Sequence, residues 1–266
     1  MCYTDKQNRL GEQEQGRIML AKLEMELNSE EVLNYQMSSL FHGMLMEQLA
    51  EEYAEYLHLS QLHPYTQHLE YRNNIWYWVV CCLNETAVDQ IIHHALEKLQ
   101  VIKIKKHNIE VSIVGKSYEE TSYRKLMDDF YEGQGKRYIQ IHFISPTAFK
   151  QNGRYLFYPD IRCIFQSLMN KYDAAVKENS MIDADTLEEL CRHSQIIKYD
   201  LKSVNFSVEG VKIPSFIGKI TIKMSGTKTM ANFANMLFQF GEYSGIGIKT
   251  ALGMGCIRLT EERGSK

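Results

Sequence analysis

Two stretches of this 266-residue chain alternate apolar and polar side chains in the same way, and each opens a run of elements in the same order. In the first, Met19, Ala21, Leu23, Met25 and Leu27 face one side while Lys22, Glu24 and Glu26 face the other. A period of two is the mark of a half-buried strand. Apolar residues then recur at Leu40, Phe41, Met44, Leu45 and Leu49, which is helical spacing. Residues 75–83 are aromatic and β-branched and predict a strand, followed by a helix over 86–99 and one or two strands over 101–114. The second stretch begins where Ile139, Ile141 and Phe143 alternate with polar neighbours. The spacing then predicts helices over about 160–177 and 184–193, strands over 196–208 and 211–224, a helix over 229–240 and a strand over 256–260. Two rounds of strand, helix, strands, helix, strand predict an α+β fold of tandem ferredoxin-like (RRM-like) domains. The expected units are 18–130 and 136–262, joined near 128–136, with residues 1–17 a loose extension.

Composition narrows the function classes. Hydrophobic residues at 44% and charged residues at 24% are ordinary globular values. No apolar run approaches the roughly 20 residues of a membrane span, and the polar N-terminus does not read as a signal peptide. The six cysteines include no Cys-x-x-Cys pair, so reduced thiols and a cytoplasmic setting are expected, with no metal or cofactor. A net charge of −3 excludes indiscriminate nucleic-acid binding, but the charge is unevenly spread. Residues 20–60 carry eight glutamates against Lys22 alone, whereas residues 195–259 carry seven lysines and Arg258 against three acids. That asymmetry allows a basic face on one half of an acidic protein.

The basic half ends in a glycine motif, Gly245-x-Gly247 followed by Gly253-x-Gly255, with Lys249 and Thr250 between the pairs. It is not a Walker loop, because no glycine precedes Lys249 at the required spacing. Nor is it a dinucleotide fingerprint, because a helix precedes it and a strand follows. Such a loop suits a phosphate or a sugar-phosphate backbone. The same residues equally describe a glycine-rich connection that binds nothing.

The motif, preceded by FGEYS, resembles the C-terminal glycine-rich loop of RAMP-superfamily CRISPR proteins. Four further stretches carry the same resemblance in order and position: LFHGMLMEQL (40–49), AEYLHLSQLHPYTQHL (54–69), SPTAFKQNGRYLFYPD (145–160) and KIPSFIGKITIKMSG (212–226). Together they resemble the Cas6 endoribonucleases, which cut repeat RNA during guide maturation, and most of all those accompanying type III-A systems. The resemblance spans about residues 18–260 and implies tandem ferredoxin-like domains. It also implies metal-independent cleavage, in which a ribose 2′-hydroxyl attacks the adjacent phosphorus and leaves a 2′,3′-cyclic phosphate and a 5′-hydroxyl.

That chemistry needs a base, an acid and positive charge near the phosphorane, and histidine suits either proton role. Of nine histidines, the resemblance selects His58, in a Leu-His pair ahead of Pro64-Tyr65-Thr66, as the general acid. His42, 16 residues upstream, takes the provisional base role, and the two roles are interchangeable. One unbroken helix would hold these residues about 24 Å apart, so the helix must end near 50–56 and the chain turn back. His63 stands where some relatives carry a transition-state lysine, and this chain has no lysine between Lys22 and Lys98. Tyr35 is a further candidate. For RNA binding the expected residues are Gly245, Gly247, Lys249, Thr250, Gly253 and Gly255, with Lys219 and Lys223 on the polar face of a strand. The implied partners are CRISPR repeat RNA (pre-crRNA) and, transiently, a type III effector complex; no membrane is involved, and the chain is expected to be a monomer or homodimer. A second reading from the same fold is a non-catalytic RAMP-type subunit that holds a guide RNA.

Overall fold

The computed structural model describes residues 19–104, 108–176, 183–208 and 210–260; the expected extension at 1–17 lies outside them. The first sheet contains β1 (Met19–Asn28), β2 (Tyr65–Arg72), β3 (Ile75–Cys82), β4 (Val101–Ile104) and β5 (Ile109–Ser122), in the order β2-β3-β1-β5-β4. The pairs given by the register are all antiparallel, with Leu23 opposite Val80 and Met25 opposite Trp78. The alternation read from the sequence sets this up, because those side chains share one face and bury it under helices. Three helices cover it: α1 (Ser38–Gln48), α2 (Glu51–Leu59) and α3, where Glu85–Ala87 runs into a π-helical stretch Val88–Leu96. Phe41 of α1 meets the fully buried Trp78 edge-on at 5.2 Å, and the indole N–H donates to Gln67 Oε1 at 2.9 Å.

The second sheet has β6 (Tyr138–Thr147), β9 (Ser194–Val208), β10 (Val211–Met224) and β11 (Ile257–Thr260), in the order β11-β6-β10-β9. A small hairpin, β7 (Phe149–Gln151) and β8 (Arg154–Leu156), follows β6. The inner face, including Ile139, Ile141, Phe143, Ile220 and Ile222, packs on α5 (Ile161–Val176), α6 (Ala184–Arg192) and α7 (Lys228–Ser244). In each sheet the first strand in chain order lies between the sheet's third and last strands. This is the ferredoxin-like order, and the tandem arrangement expected from the sequence is the observed fold. No helix among the described residues is long and apolar enough to cross a membrane.

Between the sheets, the stretch read as a join is mostly helical. Helix α4 (Tyr123–Glu132) buries Tyr123 and Leu126 in the second core. The residues after it are pinned by buried Asn232, whose Oδ1 accepts from Gly135 N–H at 2.7 Å and whose amide donates to the Phe130 and Gly133 carbonyls. A buried amide with all these partners satisfied rigidifies the crossing.

Strand β2 carries much of the contact between the halves. Thr66 donates to the Tyr243 carbonyl at 2.7 Å, Cys256 Sγ lies 3.2 Å from His68 Nε2, and Arg258 meets both Glu70 oxygens at 3.0 Å. Arg72 bridges Glu70 and Glu24. Burial alone would raise the Glu70 pKa, but His68, Arg258 and Arg72 overcome it and hold the carboxyl at about 2. A carboxyl held below its ordinary 4.5 stabilises the fold above that pH and loses the contribution as pH falls from 4.5 towards 2. Glu70→Gln should therefore cost about 3 kcal/mol at pH 7, the free energy that corresponds to holding this buried carboxyl from 4.5 down to about 2. Urea unfolding across that acid range should give a flatter pH dependence for the variant than for the unaltered protein.

Candidate active site

Helix α1 stops short of its apolar pattern. Leu49 (φ −80°, ψ 153°) and Ala50 (φ −59°, ψ 139°) are extended, and α2 restarts at Glu51 with Glu51 and Glu52 in its first turn, where carboxylates suit the helix dipole. The break supplies the turn-back that the spacing of His42 and His58 required. His42 lies in the middle of α1, exposed His58 in the last turn of α2, and half-buried His63 in the loop before β2. The three are close enough to act on one another electrostatically. Burial, then His63, then His58 push His42 down to about 4, while a backbone hydrogen bond with Ala251 works in the opposite direction. Burial and His58 likewise lower His63. His42 is therefore neutral at pH 7. His63 Nδ1 is buried without a hydrogen-bond partner among the described residues.

Tyr65, the first residue of β2, completes the group. Its hydroxyl is 2.9 Å from His42 Nδ1, the two rings are parallel within 9°, and its ring centroid is 5.7 Å from that of His63. In the sequence, Tyr65 stands out only as part of the 54–69 segment that carries the family resemblance. A phenol opposite an imidazole 23 residues away has no local signal.

The glycine motif reaches this site from the other half of the chain. After α7 ends at Ser244, the chain passes through Ile246 and Gly247, makes a 3-10 turn at Thr250–Leu252 and returns through Gly255 to β11. Its amides are turned inward. Ile246 N–H donates to Gly255 O, Ile248 N–H to Ala148 O, Gly255 N–H to Pro146 O and Gly247 N–H to Ser167 Oγ. The turn docks on the first unit, where Gln67 Nε2 donates to both Ser38 O (2.9 Å) and Ala251 O (3.0 Å). Gly253 has φ 109°, and a Cβ there would collide with Ser38 at the head of α1. Gly255 has φ 75°, and a Cβ there would collide with the Ile246 carbonyl. These glycines admit the approach of the protein's own chain, and the side chains of exposed Lys249 and part-exposed Thr250 are what the loop presents outward.

The entrance to the loop is held by Lys171 of α5, which donates to the Ser244 and Gly245 carbonyls at 3.1 and 3.0 Å. Burial brings its pKa down to about 7. Beside it a groove of about 340 Å³ is lined by Leu62, Lys150, Arg162, Lys171, Gly247 and Ile248. Exposed Lys219 and Lys223 lie on the outer face of the second sheet, where Lys219 pairs across the strands with His142 and Asp200. Tyr35 packs in an apolar cluster with Ala148, Phe206 and Met254. His93 and His94 are exposed on α3. Among the described residues no group of three or more His, Cys, Asp or Glu side chains is placed to hold a metal ion.

Comparison with known proteins agrees with this architecture. A family profile described as CRISPR-associated endoribonuclease Cas6 matches residues 141–257. A CRISPR-associated endoribonuclease Cas6 of Streptococcus thermophilus is 39% identical over 224 residues, covering 84% of this chain and 91% of that protein. One from Mycobacterium tuberculosis is 32% identical over 220 residues, covering 82% of this chain and 70% of that protein. Among solved structures, a Cas6 product complex superposes with a TM-score of 0.77 at 21% identity, over 92% of this chain and 100% of the other. Thermus thermophilus Cas6 gives 0.72 at 20% identity, over 91% and 99%. With that identity to curated relatives over most of both sequences, on a tandem ferredoxin-like fold, the chain belongs to the Cas6 family of CRISPR-associated endoribonucleases.

Proposed function

We propose that this chain cleaves CRISPR repeat RNA at the His42–His58 site by metal-independent transesterification. The ribose 2′-oxygen bonds to the adjacent phosphorus as its proton passes to a base. The bond from phosphorus to the 5′-oxygen breaks as that oxygen gains a proton from an acid. The products are a 2′,3′-cyclic phosphate and a 5′-hydroxyl, and His42 and His58 are the catalytic residues. The observation that carries this reading is the break at Leu49–Ala50, which folds two distant histidines into mutual electrostatic range. His63, with an unpartnered nitrogen in the same group, is suited to support charge on the phosphorane, and Tyr35 to support the fold around it.

RNA would be held by Lys249 and Thr250 at the tip of the loop, with Gly245, Gly247, Gly253 and Gly255 shaping it, and by Lys219 and Lys223 along the second sheet. The proposed units are 18–130 and 136–262, with α4 crossing between them. A type III-A setting in the cytoplasm, transient contact with a type III effector complex, and a monomeric or homodimeric state complete the proposal.

Two changes to a cleavage assay test it. Excess chelator should leave the rate within about twofold, because proton transfer by imidazole needs no metal. Replacing the 2′-hydroxyl upstream of the cut by hydrogen should abolish cleavage. Activity that disappears with chelator, or survives in the deoxy substrate, would reject the mechanism.

A further inference from the structure

We infer that Tyr65 is a positioning residue: its buried hydroxyl donates to His42 Nδ1 and fixes His42 in the Nε2–H tautomer, so that His42 meets the RNA as a neutral hydrogen-bond donor. This rests on the reading of His42 as a catalytic residue, and adds what form it takes and what imposes that form.

The geometry is rigid on the tyrosine side. Tyr65 is fully buried, its backbone is paired with Cys82 of β3, and the preceding Pro64 carbonyl accepts from Leu83 N–H at 2.8 Å. The ring therefore stands as a fixed post under α1. On the helix side, the head of α1 is tied to the same strand, because Ser38 Oγ accepts from Leu69 N–H at 3.0 Å and Ser38 O accepts from Gln67. The 2.9 Å contact joins two elements that are both fastened to β2.

The direction of the hydrogen bond follows from counting partners. Burial raises the Tyr65 pKa, with Cys82 and Tyr53 adding to the effect, so the phenol keeps its proton. Among the described residues His42 Nδ1 is the hydroxyl's hydrogen-bond partner. If Nδ1 carried a hydrogen and donated to the phenol oxygen, the buried O–H would have nowhere to point, which native structures avoid. With the O–H donating to Nδ1 nothing is stranded, and the Nε2–H is left for a partner other than Tyr65. Since His42 is uncharged at neutral pH, an Nε2–H that donates to a phosphate oxygen would stabilise the developing charge without changing its own protonation state. A neutral imidazole can serve as an electrophile in this way. Taking the 2′-hydroxyl proton and returning one to the departing 5′-oxygen then both fall to His58, whose role the sequence leaves interchangeable with that of His42.

The tautomer can be read without RNA. Ring nitrogen-15 shifts and couplings of His42 at pH 7 should show protonated Nε2 and bare Nδ1 in the unaltered protein. Tyr65→Phe should give a mixture of tautomers and lower the single-turnover rate about tenfold, the scale of one lost hydrogen bond. Tyr53→Phe, which removes another buried hydroxyl, should change neither reading. Protonated Nδ1 in the unaltered protein, or an unchanged tautomer in a folded Tyr65→Phe, overturns the inference. Should the phenylalanine variant fail to fold, the unaltered protein's spectrum decides alone. Failure of the unaltered protein to cut repeat RNA would instead reject the proposed function and leave the tautomer result standing.

Discussion

Replacing His58 with alanine is expected to lower the single-turnover rate on repeat RNA by about 10²–10⁴-fold, the usual contribution of a positioned acid or base. The side chain is exposed at the end of α2, so the unfolding free energy should stay within about 0.5 kcal/mol of the unaltered protein. The pairing of a large rate loss with unchanged stability is what separates chemistry from folding here. His42→Ala should behave differently. It should cost about 10²–10³-fold as a lost donor, and also some stability, because it leaves the buried Tyr65 hydroxyl unpartnered. A loss below about tenfold for His58→Ala would remove it from the proton transfers.

The second large effect concerns a residue with no side chain. Gly253→Ala should destabilise the protein by about 2–5 kcal/mol, from a positive φ and a Cβ driven into Ser38. Because Ser38 heads the helix that carries His42, the variant should also lose cleavage when assayed well below its melting temperature. Lys249→Ala makes the contrast. It should leave stability unchanged, weaken RNA binding, and reduce its salt dependence by about one counterion. Urea unfolding and filter binding at several salt concentrations distinguish the two. If both variants weakened RNA equally and neither lost stability, the loop would be a cradle only, without a bracing role.

This bracing role is what the sequence least revealed. The motif itself was plain, and its place between the last helix and last strand was read correctly. Yet glycines that admit a ligand and glycines that admit the protein's own backbone have the same spelling; only the contacts with Ser38, Ile246 and Ala148 separate them. Strands such as β1 and β10 were legible because apolar and polar side chains alternate along much of their length. Strand β2 was not, since Thr66, Gln67, His68 and Glu70 are all buried, their polar groups matched by partners far along the chain. Period-two alternation vanishes when both faces are covered. Helix α4 was missed for a related reason. It is rich in charge, and its apolar side chains pack on a core built mostly by residues of the second unit. The three histidines were all named from sequence, but the break that gathers them contains neither glycine nor proline, and nothing local marks Leu49 and Ala50 as its site.

The most direct measurement is of the RNA ends. Purified protein, incubated with cognate repeat RNA in excess chelator, should yield an upstream fragment whose mass carries a 2′,3′-cyclic phosphate and a downstream fragment with a 5′-hydroxyl. His58→Ala under the same conditions should leave the RNA intact over the time the unaltered protein takes to finish. A downstream fragment bearing a 5′-phosphate, or RNA bound but uncut by the unaltered protein, would contradict a histidine-driven 2′-hydroxyl attack at this site.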